Sequence, residues 1–416
     1  MLTVKLFPIY AFRLTATVLS LCFFAIQAIA QGSLNSYTPK APRESRISSN
    51  DATSSFSALS PASRESIPLQ VGPVLFRPSI NYKYTDANNL LLSVGNEQDS
   101  EIQDISLNLI FDYQEFWSFS YRPTWTYYSN ATFNDTDSHS ANFSSDFAVA
   151  DWRIGFNQSY NDSNGSLVQT GSQTQQETFG TTLSASRQLN STWYLDLSAD
   201  QDLRSAIIFP DVSEWSTSGW LRYQASSAVN SSVGLTWGYA DVDPGLNTEF
   251  MQFLLRFGFN PSDKLSASLQ GGIDSREVDA PGFDKEENPT YNASLQYQPF
   301  DYTIIGINLS RRISASYFSN FNNETEALTL SLKQRLLGRF NLTVSYGERS
   351  SDYLGLLGNF VVGRADEYDS FSVDLSTQLA NKINISVFYR KNENSTNTTG
   401  FGFSSDQSGF SIGYRY

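Results

Sequence analysis

The chain closes on Gly409-Phe410-Ser411-Ile412-Gly413-Tyr414-Arg415-Tyr416, "GFSIGYRY". Phe410, Ile412, Tyr414 and Tyr416 are large and share one parity, while Ser411, Gly413 and Arg415 are small or polar and share the other. A period of two marks a strand with one apolar and one polar face. The alternation runs to the last residue, with no polar tail to blunt the end. A bare edge of this kind invites aggregation unless another strand covers it, and a closed barrel supplies that strand by pairing the last with the first.

The same period recurs upstream. Ile105, Leu107, Leu109, Phe111 and Tyr113 alternate with Ser106, Asn108, Ile110 and Asp112. Trp193, Leu195, Leu197 and Ala199 alternate with Tyr194, Asp196, Ser198 and Asp200. Met251, Phe253, Leu255, Phe257 and Phe259 repeat it, as do Phe340, Leu342, Val344 and Tyr346, and then Ile383, Ile385, Val387 and Tyr389. Short turns fall near Gln114-Glu115, Ala150-Asp151, Leu189-Asn190, Asn260 to Asp263, Pro299 to Asp301, Gly338-Arg339 and Asn381-Lys382. Longer polar loops at 86–100, 130–138, 163–172, 276–288, 351–365 and 394–402 lie between them. Short turns alternating with long loops is the rhythm of an outer-membrane barrel. The expected fold is all-β, a transmembrane antiparallel up-and-down β-barrel of about eighteen strands, with sixteen as the nearest alternative.

Composition agrees with strands that are greasy on one face and wet on the other. Charged residues are 17% of the chain, against roughly 25% in an ordinary soluble domain. Aromatic residues reach 14%, yet hydrophobic residues are only 40% and the mean hydropathy is −0.32. No apolar stretch after Gln31 approaches the roughly 20 residues of a helical span, so a barrel is the remaining route across a membrane. A soluble β-sandwich would alternate too. It has no need of the aromatic side chains at strand ends, such as Trp117, Trp125, Tyr127, Trp152, Trp193, Tyr297, Phe340 and Tyr389, which in a barrel sit at the lipid interfaces.

The N-terminus reads as a secretory signal peptide over 1–30. Lys5 and Arg13 precede an apolar run from Leu14 to Ile29, and "AIA" (Ala28-Ile29-Ala30) supplies a small-x-small site before Gln31. Cys22, the one cysteine, lies inside that run. Residues 31–71 are rich in Ser, Pro and Asn without a period and are expected to be a disordered periplasmic linker. The barrel is expected over 72–416. The formal charge is −14, and −14 − 2 = −16 without Lys5 and Arg13. That acidity argues against nucleic acid as a partner.

The terminal stretch resembles the C-terminal assembly signal of bacterial outer-membrane proteins, in which Phe410, Ile412, Tyr414 and Tyr416 are the matching positions. Those proteins more often end in Phe. A wider resemblance begins at "LFRPSINYKYTDANNLLLS", from Leu75 to Ser93, followed by an acidic stretch from Glu97 to Asp104. This layout resembles the start of the outer-membrane barrel porins of the "porin 2" type. The resemblance implies an integral outer-membrane channel in a Gram-negative-type envelope, in contact with lipid, lipopolysaccharide and the assembly machinery. Some members sit with exopolysaccharide export systems, so export components are implied as further partners. Homo-oligomerisation is left open.

Parity selects the inward face. Asp112, Arg122, Asp196, Asp200, Arg222, Arg256, Arg312, Asp374 and Arg390 are the candidate pore-lining residues, and Asp146, Arg153, Asp274 and Arg276 share their parity. Rings of charge set ion preference in a narrow pore, whereas on a wide wet wall the same charges simply pair with one another. The apolar stretch "YLGLLGNFVVGR", from Tyr353 to Arg364, either folds into the lumen or forms two strand extensions. The sequence has no phosphate loop, dinucleotide fingerprint or paired-cysteine metal site, and no cofactor is expected. His139, the one histidine, is flanked by Ser138 and Ser140, and strand neighbours rarely converge into a triad. "DVDPG", from Asp241 to Gly245, reads as a hairpin loop rather than a calcium site. The expected function is non-enzymatic: a porin-like channel for small hydrophilic solutes, or alternatively a barrel serving exopolysaccharide export or surface anchoring.

Overall fold

Alternating side chains commit nearly every segment after residue 68 to a strand. The computed structural model describes residues 69–90, 97–114, 116–167, 172–207, 209–279, 285–316, 321–355, 363–380 and 382–416. The expected signal peptide and all but the last three residues of the expected linker lie outside them, as does the centre of the 353–364 stretch.

In chain order the strands are β1 (Leu69–Val71), β2 (Val74–Ala87), β3 (Ser100–Tyr113), β4 (Trp117–Tyr128), β5 (Thr136–Val149), β6 (Trp152–Leu167), β7 (Ser172–Gln188), β8 (Trp193–Ala206), β9 (Phe209–Gln224) and β10 (Val229–Asp243). They continue with β11 (Thr248–Ser262), β12 (Leu265–Val278), β13 (Glu286–Phe300), β14 (Thr303–Ala315), β15 (Phe321–Leu336), β16 (Phe340–Gly355), β17 (Arg364–Leu379), β18 (Ile383–Thr396) and β19 (Phe403–Arg415). From β2 onward each strand pairs antiparallel with the next, and β19 pairs with β2 through Ser408↔Asp86, Phe410↔Tyr84 and Tyr414↔Ile80. The result is a closed barrel of eighteen strands, β2 to β19.

Closure answers the question raised by the chain end. Arg415 N donates to Lys382 O (2.8 Å), and the Lys382 ammonium lies 5.0 Å from the Tyr416 ring centroid. Below the point where β19 stops, β1 takes up the edge of β2, from Leu69↔Phe76 to Val71↔Val74. Pairing therefore starts a few residues before the expected end of the linker. Gly72, at φ 62°, makes the intervening turn, a backbone region glycine enters without a Cβ clash.

The strands of the barrel run from 12 to 17 residues, longer than the roughly 9–11 that a tilted strand needs to cross hydrocarbon. Most extra length is on the side of the long loops. Hence β6 continues to Leu167 and β18 to Thr396, and the expected loops 163–172 and 394–402 shrink. Residues 161–166 and 391–396 carry no apolar side chain on either face, yet the hydrogen-bond ladder continues through them beyond the belt. The short turns fall at or next to the expected positions, with those near 260–263 and 299–301 displaced to 263–264 and 301–302, and with Glu115 and Asn381 outside the described residues. An eighth, at 225–228, carries neither Gly nor Pro and was not anticipated. Its backbone closes through Ala225 N to Val229 O (3.0 Å), and Ser226 Oγ accepts from Ala228 N (3.2 Å).

Register follows one parity around the whole wall. Leu195↔Leu221↔Val233↔Leu255 is one unbroken outward row. Leu332↔Val344↔Val373↔Tyr389 is another. Large apolar side chains on this face stay bare, with Leu255 56%, Leu269 55% and Trp237 53% exposed. Bare apolar area on this scale is what a lipid-facing belt presents.

Candidate functional site: the barrel interior

All nine candidate pore-lining residues fall on the other face. The register sets Asp112 beside Leu75, Arg122 beside Ser140, Asp196 beside Trp220, and Asp200 beside Ser216. Arg222 lies beside Ser232, Arg256 beside Gln270, Arg312 beside Thr325, Asp374 beside Thr343, and Arg390 beside Gln407. Contacts between non-neighbouring strands identify this face as the interior. Arg312 of β14 interacts electrostatically with Glu214 of β9, and Lys83 of β2 does so with Arg122 of β4 and Arg390 of β18.

Near the short-turn end the interior charges pair across neighbouring strands. Arg77 pairs with Asp112, Arg153 with Asp146 (2.6 Å), and Arg222 with Asp196 (3.0 Å). Higher up, the two halves of the wall differ. Lys83, Arg122, Arg312, Arg349 and Arg390 occupy β2, β4, β14, β16 and β18, where Lys83 meets Arg390 and Arg122, and Arg312 meets Arg349, as like charges. The facing half is mixed: Asp200, Asp202, Glu214 and Asp274 on β8, β9 and β12 share it with Arg204 on β8 and Arg276 on β12. Asp200 accepts from Thr182 Oγ1 (2.8 Å) and Ser198 Oγ (3.2 Å). Asp274, 1% exposed, accepts from Arg276 Nε (3.0 Å) and Gln252 Nε2 (2.6 Å).

Two stacks give the β9–β12 wall its relief. Trp220 lies flat over Gly234, where an added Cβ would come within 2.4 Å of the indole, and Arg256 covers the ring at 4.0 Å. Phe250 lies over Gly238, where a Cβ would come within 2.2 Å, and Arg276 covers that ring at 4.7 Å. Glycine is required at both positions because the ring occupies the space of a side chain. Trp220, Phe250 and their glycines were not among the candidates; two interior glycines four residues apart on one face of β10 were the signal.

The outer tip of β14 leaves the wall. Its pairing with β13 ends at Tyr291↔Arg311, whereas its pairing with β15 continues to Ala315↔Asn322. Beyond that point Arg276 Nη2 of β12 donates to Ile313 O (2.9 Å) and Arg204 Nη2 of β8 donates to Ser316 O (2.9 Å). Strand β8 is six strands from β14 along the wall, so the β14 tip must cross the interior to reach it. Ile313 and Ser316 are buried, and so are Val212, Ala240, Phe250 and Leu254, apolar and inward on β9 to β11. The Arg276 guanidinium that covers Phe250 is the one that holds the tip at Ile313. The 353–364 stretch was expected either to fold into the lumen or to form two strand extensions. Its rims are strand, with Tyr353↔Arg364 paired, and residues 356–362 lie outside the described residues.

His139 faces outward. Tyr121 Oη lies 2.9 Å from its Nδ1, and Ser138 and Ser140 point to the opposite face, as strand neighbours must. Asp243 ends β10 and Thr248 begins β11, so "DVDPG" lies at a hairpin connection, where Asn247 Oδ1 accepts from Val242 N (3.0 Å).

No family model matches the chain, and no curated protein sequence matches it. Several solved structures align with it over most of their length. OccK2 (OpdF) of Pseudomonas aeruginosa aligns at 13% identity and a TM-score of 0.47, over 82% of this chain and 98% of that one. OpdO of the same organism aligns at 11% and 0.46, over 82% and 97%. Acinetobacter baumannii OccAB3 aligns at 9% and 0.44, over 82% and 99%.

Proposed function

We propose that the protein is an outer-membrane channel through which small hydrophilic solutes diffuse passively, with Asp112, Arg122, Asp196, Asp200, Arg222, Arg256, Arg312, Asp374 and Arg390 lining the path. One observation carries this reading: an eighteen-stranded closed wall whose outer face is apolar and whose inner face is polar and charged. A barrel of this strand number is too wide for wall side chains to fill, and its interior holds water. The crossing tip of β14 narrows that interior beside the cationic stretch of Lys83, Arg122, Arg312, Arg349 and Arg390, and charge at a constriction sets ion preference.

Export of an exopolysaccharide, or surface anchoring, is the second reading. It rests on the resemblance of the stretch from Leu75 to Ser93 to the "porin 2" type. Recording from the purified full-length protein in planar bilayers separates the two. Steady unitary conductance supports diffusion; a folded barrel that inserts and stays silent supports export or anchoring.

A further inference from the structure

The outward belt contains one stretch that lipid does not satisfy. Gln158 of β6, Thr181 of β7 and Gln201 of β8 form a single row, paired as Gln158↔Thr181 and Thr181↔Gln201. Thr217 of β9 has the same outward parity one step away, beside Ala199 and Trp237. Apolar neighbours bracket the row on its own strands: Phe156 and Tyr160 around Gln158, Leu183 and Phe179 around Thr181, Ala199 and Leu203 around Gln201. Gln158 is six residues from Trp152, which begins β6. At about 3.3 Å per residue and a tilt near 40°, that places it roughly 15 Å up a belt about 25 Å tall. These side chains therefore sit in hydrocarbon, not at a headgroup.

Their hydrogen bonds do not close among themselves. Thr181 Oγ1 lies 2.9 Å from Gln158 Oε1 and 3.1 Å from Gln201 Oε1, but one hydroxyl has one proton and serves one acceptor at a time. Gln158 Nε2 reaches only main-chain oxygens, Gly180 O at 3.3 Å and Ser159 O at 3.5 Å. With Oε1 toward Thr181, the Gln201 amide N–H groups donate to nothing among the described residues; with the amide turned over, Nε2 donates to Thr181 Oγ1 and Oε1 is left without a donor. Amide protons left bare in hydrocarbon are strongly unfavourable, and polar side chains in a membrane commonly bond to a neighbouring protein segment.

We infer that this face, β6 to β9, is where a second copy of the chain docks about a two-fold axis normal to the membrane. The choice of partner follows from the belt itself. Elsewhere among the described residues no three consecutive strands set Asn, Gln, Ser or Thr side chains in one outward row; the Thr303–Gln334 pair spans only β14 and β15, at the residue that opens β14. A head-to-tail contact would press the row against an apolar wall such as Leu235, Phe253 and Leu269 and leave it unpaired. A two-fold contact is isologous and brings the row against itself. Each glutamine amide is both donor and acceptor, so the row complements its own copy, with Thr181 nearest the axis. Ala185, Ala199 and Gly219, outward on the same strands, allow close approach. This inference is independent of what the interior conducts.

The test is cross-linking in native membranes, using the full chain with Cys22→Ser as background. Leu183→Cys should give a dimer with a short bismaleimide, and Leu255→Cys, on the far side of β10, should not. Adding Gln158→Leu, Thr181→Leu and Gln201→Leu to Leu183→Cys should lower the dimer yield at least tenfold, with heat-modifiable gel mobility confirming a folded barrel. Four results would overturn the inference: no dimer from Leu183→Cys, equal dimer from Leu255→Cys, adducts to a protein of another mass, or an unchanged yield from the triple leucine variant.

Discussion

Arg204 Nη2 of β8 lies 2.9 Å from the carbonyl oxygen of Ser316, which follows β14. That bond is reached only by a chain crossing the interior of the barrel, since five strands, β9 to β13, separate its partners along the wall. It ties down the element that narrows the lumen, and it names the residues whose loss should widen it.

Arg204→Ala removes a charge-assisted hydrogen bond, generally worth about 1.5–3 kcal/mol. The tip then retains its Arg276 bond but loses its far anchor. We expect larger and noisier unitary conductance than in the parent protein, with unchanged gel mobility. Conductance equal to the parent's would show that the tip does not limit the path.

Arg276 and Asp274 are 5% and 1% exposed. Arg276→Ala leaves the Asp274 carboxylate buried beside Gln252 without its cation, and breaking such a pair from one side costs about 3–5 kcal/mol. The double variant Arg276→Leu with Asp274→Leu removes both charges and should recover much of the loss. The temperature at which the barrel loses its compact mobility on gels reads both effects.

At Gly234 an added methyl meets the Trp220 indole at 2.4 Å. Gly234→Ala must push the ring, and Arg256 above it, away from the wall. Overpacking of this kind costs about 1–3 kcal/mol. Trp220→Ala in the same chain removes the obstacle, so the double variant should be no less stable than Trp220→Ala alone.

Deleting Tyr414 to Tyr416 removes the Tyr414↔Ile80 and Arg415↔Ser79 pairs of the closing seam. The truncated chain is expected to fail insertion and to accumulate as periplasmic aggregate. Normal heat-modifiable mobility of that chain would contradict a role for the last residues in closure.

The wall was legible in the sequence because its signal is local. Met251, Phe253, Leu255, Phe257 and Phe259 declare a strand and its outward face without reference to any other segment. Trp117, Trp152, Trp193 and Phe340 likewise open strands β4, β6, β8 and β16, as interfacial aromatics should. The crossing tip was not legible. Arg312, Ile313 and Ser314 read as ordinary strand, and what turns them inward is a lost neighbour rather than a local pattern. Pro289 on β13 was the available sign. It lies two residues beyond the last β13–β14 pair, at Tyr291, and proline has no N–H to give a ladder. The polar row on β6 to β8 was hidden for a related reason. Gln158, Thr181 and Gln201 are unremarkable singly, and only register brings them side by side.

A water-lined channel requires adjacent residues on one strand to face different media. On β11, Leu255 points outward and Arg256 lies against Trp220 on the inner wall. The deciding measurement is single-channel recording of Leu255→Cys and Arg256→Cys, each with Cys22→Ser, during addition of a small charged methanethiosulfonate. Arg256→Cys should show an abrupt, reductant-reversible step in conductance, and Leu255→Cys none. Steps in both, steps in neither, or no conductance at all would contradict a wet interior lined by this face.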